Sequence, residues 1–120
     1  MNGLQHIHTV KNVREAVDAS EKNPVFVFKH SPNCGVSSTA IREFESFMAA
    51  EAQGFRYYQV DVIDSRAASL ELEDVTRVRH ESPQVLLMWE SECVWHASHR
   101  GIRLGELRLQ AEALRKKLSL

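Results

Sequence analysis

Cysteine is almost missing from this chain: Cys34 and Cys93 are the two thiols in 120 residues. Two cysteines so far apart cannot build the disulfide framework of a small secreted domain, nor the ligand set of a structural zinc site. An excess of either charge is missing too. Fifteen Lys and Arg stand against sixteen Asp and Glu, for a net charge of −1, which withholds the basic face a nucleic-acid binder needs. Long apolar runs are lacking: Val25 to Phe28 and Val85 to Trp89 are the longest, far short of a membrane span. The first nine residues carry His6 and His8 and no apolar stretch, so no secretory signal is read there. With three prolines and five glycines, no linker, repeat or low-complexity segment breaks the chain. These absences set the expectation of a cytoplasmic protein of one domain over residues 1–120, with no nucleic-acid or membrane partner.

What remains is an alternation of short apolar runs with amphipathic stretches, the pattern of an α/β domain. Gln5 to Val10 reads as a short strand, and Val10, Val13, Ala16 and Val17 then recur at helical spacing until Asn23-Pro24. Val25 to His30 is apolar on both alternations, as in a strand buried on both faces. Ser31-Pro32-Asn33 breaks it, and a helix follows with Ala40, Ile41, Phe44, Phe47 and Met48 on one face, ending before Gly54. Phe55 to Val62 is a third strand. Asp64 or Ser65 caps a helix carrying Ala68, Leu72 and Val75. Gln84 to Trp89 and Cys93 to Ser98 form a hairpin around Glu90 to Glu92. A last helix carries Leu104, Leu107, Ala111, Leu114 and Leu118, with Arg115, Lys116 and Lys117 in its final turn, where cations suit the helix dipole. The order β-α-β-α-β-α-β-β-α, with right-handed crossovers, is a thioredoxin-like fold: a central mixed sheet of about five strands flanked by helices.

Cys34 follows the buried strand and opens the long helix. The first-turn N–H groups lack intrahelical partners, and with the helix dipole they favour a thiolate there. Lys29 and His30 lie close enough in sequence to add positive potential, but the sequence does not give their side-chain directions. The residue three places on is Ser37, so the second thiol of a C-x-x-C pair is missing, and resolution must come from an external thiol. Cys93 sits past the hairpin turn, on the order of 20 Å from Cys34 at about 3.3 Å per residue, too far for a disulfide. His96 reads as a boundary or surface residue, His80 and His99 stand evenly between that role and a place bordering the site, and Arg66 reads as an ion-pair partner of Asp61 or Asp64. No histidine pair has metal-ligand spacing, so no metal is expected.

Lys29-His30-Ser31 ahead of Cys34 and Ser37, with Asp61-Val62-Ile63, Arg66, Ser69, His80-Glu81-Ser82-Pro83-Gln84, Val94-Trp95-His96-Ala97-Ser98-His99 and Ile102, resembles the monothiol bacilliredoxins across roughly residues 5–118. The resemblance implies that Cys34 is the nucleophile that removes bacillithiol from mixed disulfides on client proteins. Bacillithiol is then a co-substrate and no bound cofactor is needed. It further implies a cis-proline at Pro83 facing Cys34, with Lys29, His30, Gly35, Val36, Ser37, Ser82, Pro83 and His99 shaping the site. One departure stands out: the family has Pro-Ile after the cysteine, and this chain has Gly35-Val36. Cys34-Gly35-Val36-Ser37 also resembles the Cys-Gly-Phe-Ser of monothiol glutaredoxins, which use glutathione and in some cases share an iron–sulfur cluster. Their Gly-Gly segment is absent, however, and Arg100-Gly101-Ile102 stands in its place. A third reading, a binding module without catalysis, requires a buried and inert Cys34.

Overall fold

A valine- and phenylalanine-rich strand at the middle of the sheet organises the molecule, in a computed structural model that describes residues 3–50 and 54–119. The ends of the domain expected over residues 1–120, and residues 51–53, lie outside the described set. The strand is β2 (Val25–His30), buried along its length until the half-buried His30. It pairs in parallel with β3 (Arg56–Asp61) and antiparallel with β4 (Gln84–Trp89). β1 (Leu4–Ile7) lies parallel outside β3, and β5 (Glu92–Ser98) antiparallel outside β4, giving the order β1-β3-β2-β4-β5.

Alternation along β2 sends Phe26 and Phe28 to one face and Val25 and Val27 to the other. On the first face, the helices α2 (Gly35–Ala50) and α4 (Leu104–Leu118) bring Phe44, Phe47, Leu107 and Ala111 against the strand. The ring of Phe26 lies 5.0 Å from that of Phe47, edge on, a preferred aromatic arrangement. On the second face, α1 (Val10–Ala19) and α3 (Arg66–Thr76) pack Val13, Ala16, Ala68 and Leu72.

Most element boundaries fall where the apolar pattern puts them, and the departures have local causes. The first strand stops at Ile7 rather than Val10 because Thr9 starts a helix. Its hydroxyl accepts the Asn12 N–H (3.1 Å), and the Asn12 side chain accepts the Thr9 N–H (3.2 Å), a reciprocal cap. Ser65 stands at the start of α3, but its side chain makes no capping bond. Val75 and Leu118, expected on apolar stripes, are both exposed. Between β5 and α4 the chain makes a short 3-10 turn, His99–Gly101, that the apolar pattern does not announce.

Candidate active site around Cys34

The site forms at the sheet edge where β2 ends, β4 begins and α2 starts. Ser31 to Cys34 make a turn in which the Ser31 carbonyl accepts the Cys34 N–H at 3.2 Å, with Pro32 at the second position, where its fixed φ fits. Cys34 is then the N-cap of α2: its carbonyl accepts the Ser38 N–H (3.0 Å) and the Ser38 hydroxyl (3.3 Å). Its thiol is free and half-buried.

Ser37 is fully buried and its hydroxyl is occupied. It accepts the Ser31 N–H at 3.0 Å and lies 2.8 Å from Nδ1 of His30. All three groups are satisfied when the Ser37 proton goes to Nδ1 of a neutral ring that carries its own proton on Nε2, a tautomer assigned from the network. Burial holds the His30 imidazole below its ordinary range, against the opposing pull of Asp61 and Glu45, and so favours that neutral ring. Ser37 is thus a strut that holds the loop bearing Cys34, in addition to being a position without a resolving thiol.

Lys29 takes the other direction. It belongs to the face of β2 that packs on α1 and α3, is almost completely buried, and gives its ammonium to Oε1 of Gln84 at 3.1 Å. Burial pulls its pKa from 10.5 to about 8, while Glu73 and Glu81 oppose the fall. Its place in the site is therefore structural support beneath the loop before β4, rather than positive potential on the Cys34 side of the sheet. The amide nitrogen of Gln84 donates onward to the Arg79 carbonyl (3.0 Å) and the Ser98 hydroxyl (3.3 Å).

That loop carries Ser82 and Pro83, joined by a cis peptide bond. Pro83 is buried, and its carbonyl accepts the His99 N–H at 2.9 Å, which ties the loop to the turn after β5. The Ser82 hydroxyl is buried with no hydrogen-bond partner. His80 sits behind the loop, its Nδ1 3.4 Å from the Ser69 hydroxyl and its N–H bonded to Glu73 at 2.7 Å. Burial first, then the charge of Lys29, holds the His80 imidazole below its ordinary range. His96 is exposed on β5, as a surface residue should be.

Hydrogen bonds join His30 to Ser37 and His99 to the Pro83 carbonyl, and His99 lines one cavity with Gly35 and Val36, the residues after Cys34. Lys29, expected beside the thiol, turns instead to Gln84, and Cys93 stands apart, as expected. Cys93 pairs with Met88 next to the hairpin turn, four residues along β4 from Gln84, or about 13 Å of strand. Arg66 forms no ion pair with Asp61 or Asp64 among the described residues. Asp61 instead spends its carboxylate on the N–H groups of Ile63 (2.8 Å) and Asp64 (3.1 Å), closing a local turn.

Sequence reasoning missed Gln84 as the bridge between Lys29 and the cis-proline loop. It also missed Arg100 and Arg103, which with Gly35, Val36, Thr39 and His99 line a cavity of about 680 Å³. The two arginines flank Gly101-Ile102 in a stretch without periodicity, so no pattern singled them out. Among the described residues no three His, Cys, Asp or Glu side chains gather as metal ligands, and no helix is long and apolar enough to cross a membrane.

The sequence matches the family described as monothiol bacilliredoxin BrxC over residues 5–107. A solved structure described as a candidate oxidoreductase with a thioredoxin fold superposes with a TM-score of 0.81 at 28% identity, covering 92% of this chain and 94% of that one. Thioredoxin from Fasciola hepatica (TM-score 0.70, 14% identity, 88% and 94% covered) and oxidised mitochondrial thioredoxin 3 from Saccharomyces cerevisiae (TM-score 0.70, 13% identity, 92% and 94% covered) share the architecture.

Proposed function

This chain belongs to the monothiol bacilliredoxin family and carries a thiol redox function; from that premise we propose that Cys34 acts alone to take bacillithiol off client proteins. One observation carries the reading. A free, half-buried cysteine stands at the start of a helix, while the place of a resolving thiol is filled by a buried serine whose hydroxyl is already bonded.

In the first step the Cys34 thiolate attacks the bacillithiol sulfur of the client mixed disulfide. The client thiolate leaves and takes up a proton. In the second step an external bacillithiol thiolate attacks the bacillithiol sulfur now held on Cys34. Bacillithiol disulfide forms and the Cys34 thiolate is regenerated, so one external thiol is consumed and the disulfide bond passes from the client to the pair of bacillithiols as the client thiol is freed. An extended client segment would lie along the main chain at Ser82, with Pro83 behind it. A reducing, cytoplasmic setting is part of the same reading.

The test is an exchange assay with purified protein and a bacillithiolated client, followed by mass. Cys34 should gain one bacillithiol, lose it to added bacillithiol, and transfer none as Cys34→Ser. Turnover preferring glutathione, with a coloured cluster-bearing dimer, would instead support the glutaredoxin-like alternative. A Cys34 that takes up neither thiol would leave a non-catalytic binding module.

A further inference from the structure

The cavity beside the thiol has features that exchange chemistry alone does not require. It begins at Gly35 and Val36, the residues directly after Cys34, and runs between α2 and the segment beyond β5. Its volume of about 680 Å³ suits a small molecule rather than a protein segment. Two guanidiniums, Arg100 and Arg103, stand on its wall. The Arg103 Nε donates to the Arg100 carbonyl at 3.1 Å, which orients that fork and leaves its terminal nitrogens to other acceptors. No ion pair engages either guanidinium among the described residues.

The opposing charge on the wall is Glu43, and it is already engaged: its Oε1 accepts the Leu104 N–H, the first of α4, at 2.8 Å. The wall is also tied to the exchange site, since His99 is bonded through its N–H to the Pro83 carbonyl. At the entrance, Gly35 has nothing within 4 Å of where a Cβ would sit. Packing therefore does not require glycine there, and its missing side chain widens the passage between thiol and cavity.

We infer that this cavity seats the body of a small acidic thiol, with Arg100 and Arg103 each meeting one of two carboxylates while the ligand sulfur is joined to Cys34. This rests on the exchange function proposed above. The guanidinium fork suits a carboxylate better than a point-like ammonium does, so the site selects a dicarboxylate thiol over a neutral one of equal reactivity.

The probes are the 2-pyridyl disulfides of mercaptosuccinate and of 2-mercaptoethanol, offered to the full chain. Cys34 attacks the ligand sulfur, and 2-thiopyridone leaves and is read by absorbance. The mercaptosuccinate disulfide should react faster with the unaltered protein. The ratio of the two rates should fall about tenfold in Arg100→Ala or Arg103→Ala, the loss of one charge-assisted contact at an open site, and return in part with lysine. Gly35→Ala should lower the ratio without altering charge. A parallel titration of Cys34→Ser with mercaptosuccinate should shift the amide resonances of Gly35, Thr39 and Ile102. A ratio unmoved by both arginine variants, or no amide shifts, overturns the cavity assignment. Amide shifts without reaction of either disulfide uphold the cavity and overturn the exchange function instead.

Discussion

Replacing Ser37 by alanine separates the two roles that position can have. If serine were only the blank left by a missing resolving thiol, Ser37→Ala would be close to silent. The structure says otherwise, because the hydroxyl it removes serves the Ser31 N–H and the His30 ring together. A buried donor left without an acceptor costs about 1–3 kcal/mol. The half-buried His30 ring can be hydrated in part and adds less, so about 2 kcal/mol is a fair total. With an unfolding entropy of about 2.1 cal/mol/K per residue over 120 residues, this lowers Tm by about 8 °C. Thermal unfolding followed by circular dichroism at neutral pH measures it. Exchange at Cys34 should slow as well, since the turn that presents the thiol loses the bond from its first residue. A Tm within about 2 °C of the parent, the range of an inconsequential surface change, would refute the strut.

Ser37→Cys should form an internal disulfide with Cys34 on mild oxidation, because i,i+3 positions on a helix lie about 5–6 Å apart, inside disulfide range; intact mass and loss of free thiols report it. Lys29→Met should remove a pH dependence: with the folded pKa at about 8 against an ordinary 10.5, the unfolded chain holds the extra proton between those values. Parent stability should therefore rise by about 3 kcal/mol from pH 8 to above 10, and urea midpoints for the variant should lack that rise. His30 and His80 act at the acid end. Both are held below 6.5, so the unfolded chain protonates first and stability falls as pH drops below that value, less so in His80→Asn. Cys93→Ser should retain exchange activity, and alkylation at pH 7 should label Cys93 slowly, since burial pushes its thiol up.

The apolar pattern carried the fold because both faces of β2 are buried. A run such as Val25 to Phe28 has few other homes than the centre of a sheet, and the helices flanking it showed their buried stripes. The position of Cys34 was legible for a related reason: a strand, a proline turn and a helix in succession leave one place for the residue between them. Side-chain direction at the strand end was not legible. Lys29 and His30 are neighbours in sequence, yet alternation sends one into the layer under the cis-proline loop and the other toward α2. Nor does sequence reveal that a serine is bonded on two sides, as Ser37 is. The arginines of the cavity stayed hidden because the 3-10 turn that carries Arg100 and the helix cap that carries Arg103 have no hydrophobic period to read.

The hairpin holds one further consequence, for how molecules of this protein meet each other. Along β5, Trp95 faces Leu87 and Cys93 faces Met88, so Val94 has no partner and the strand bulges there. The extra residue reverses the alternation, placing Trp95 with the α2 and α4 face and Cys93 with the α1 and α3 face. β5 is also an outer strand of the sheet, an edge on which a second copy could add its own strand. A bulge breaks the even spacing of outward N–H and C=O groups that such an addition needs. The irregularity that sets Cys93 apart from Trp95 therefore also blunts the edge against sheet-to-sheet aggregation. Deleting Val94 would straighten the ladder and expose the concentrated protein to that association.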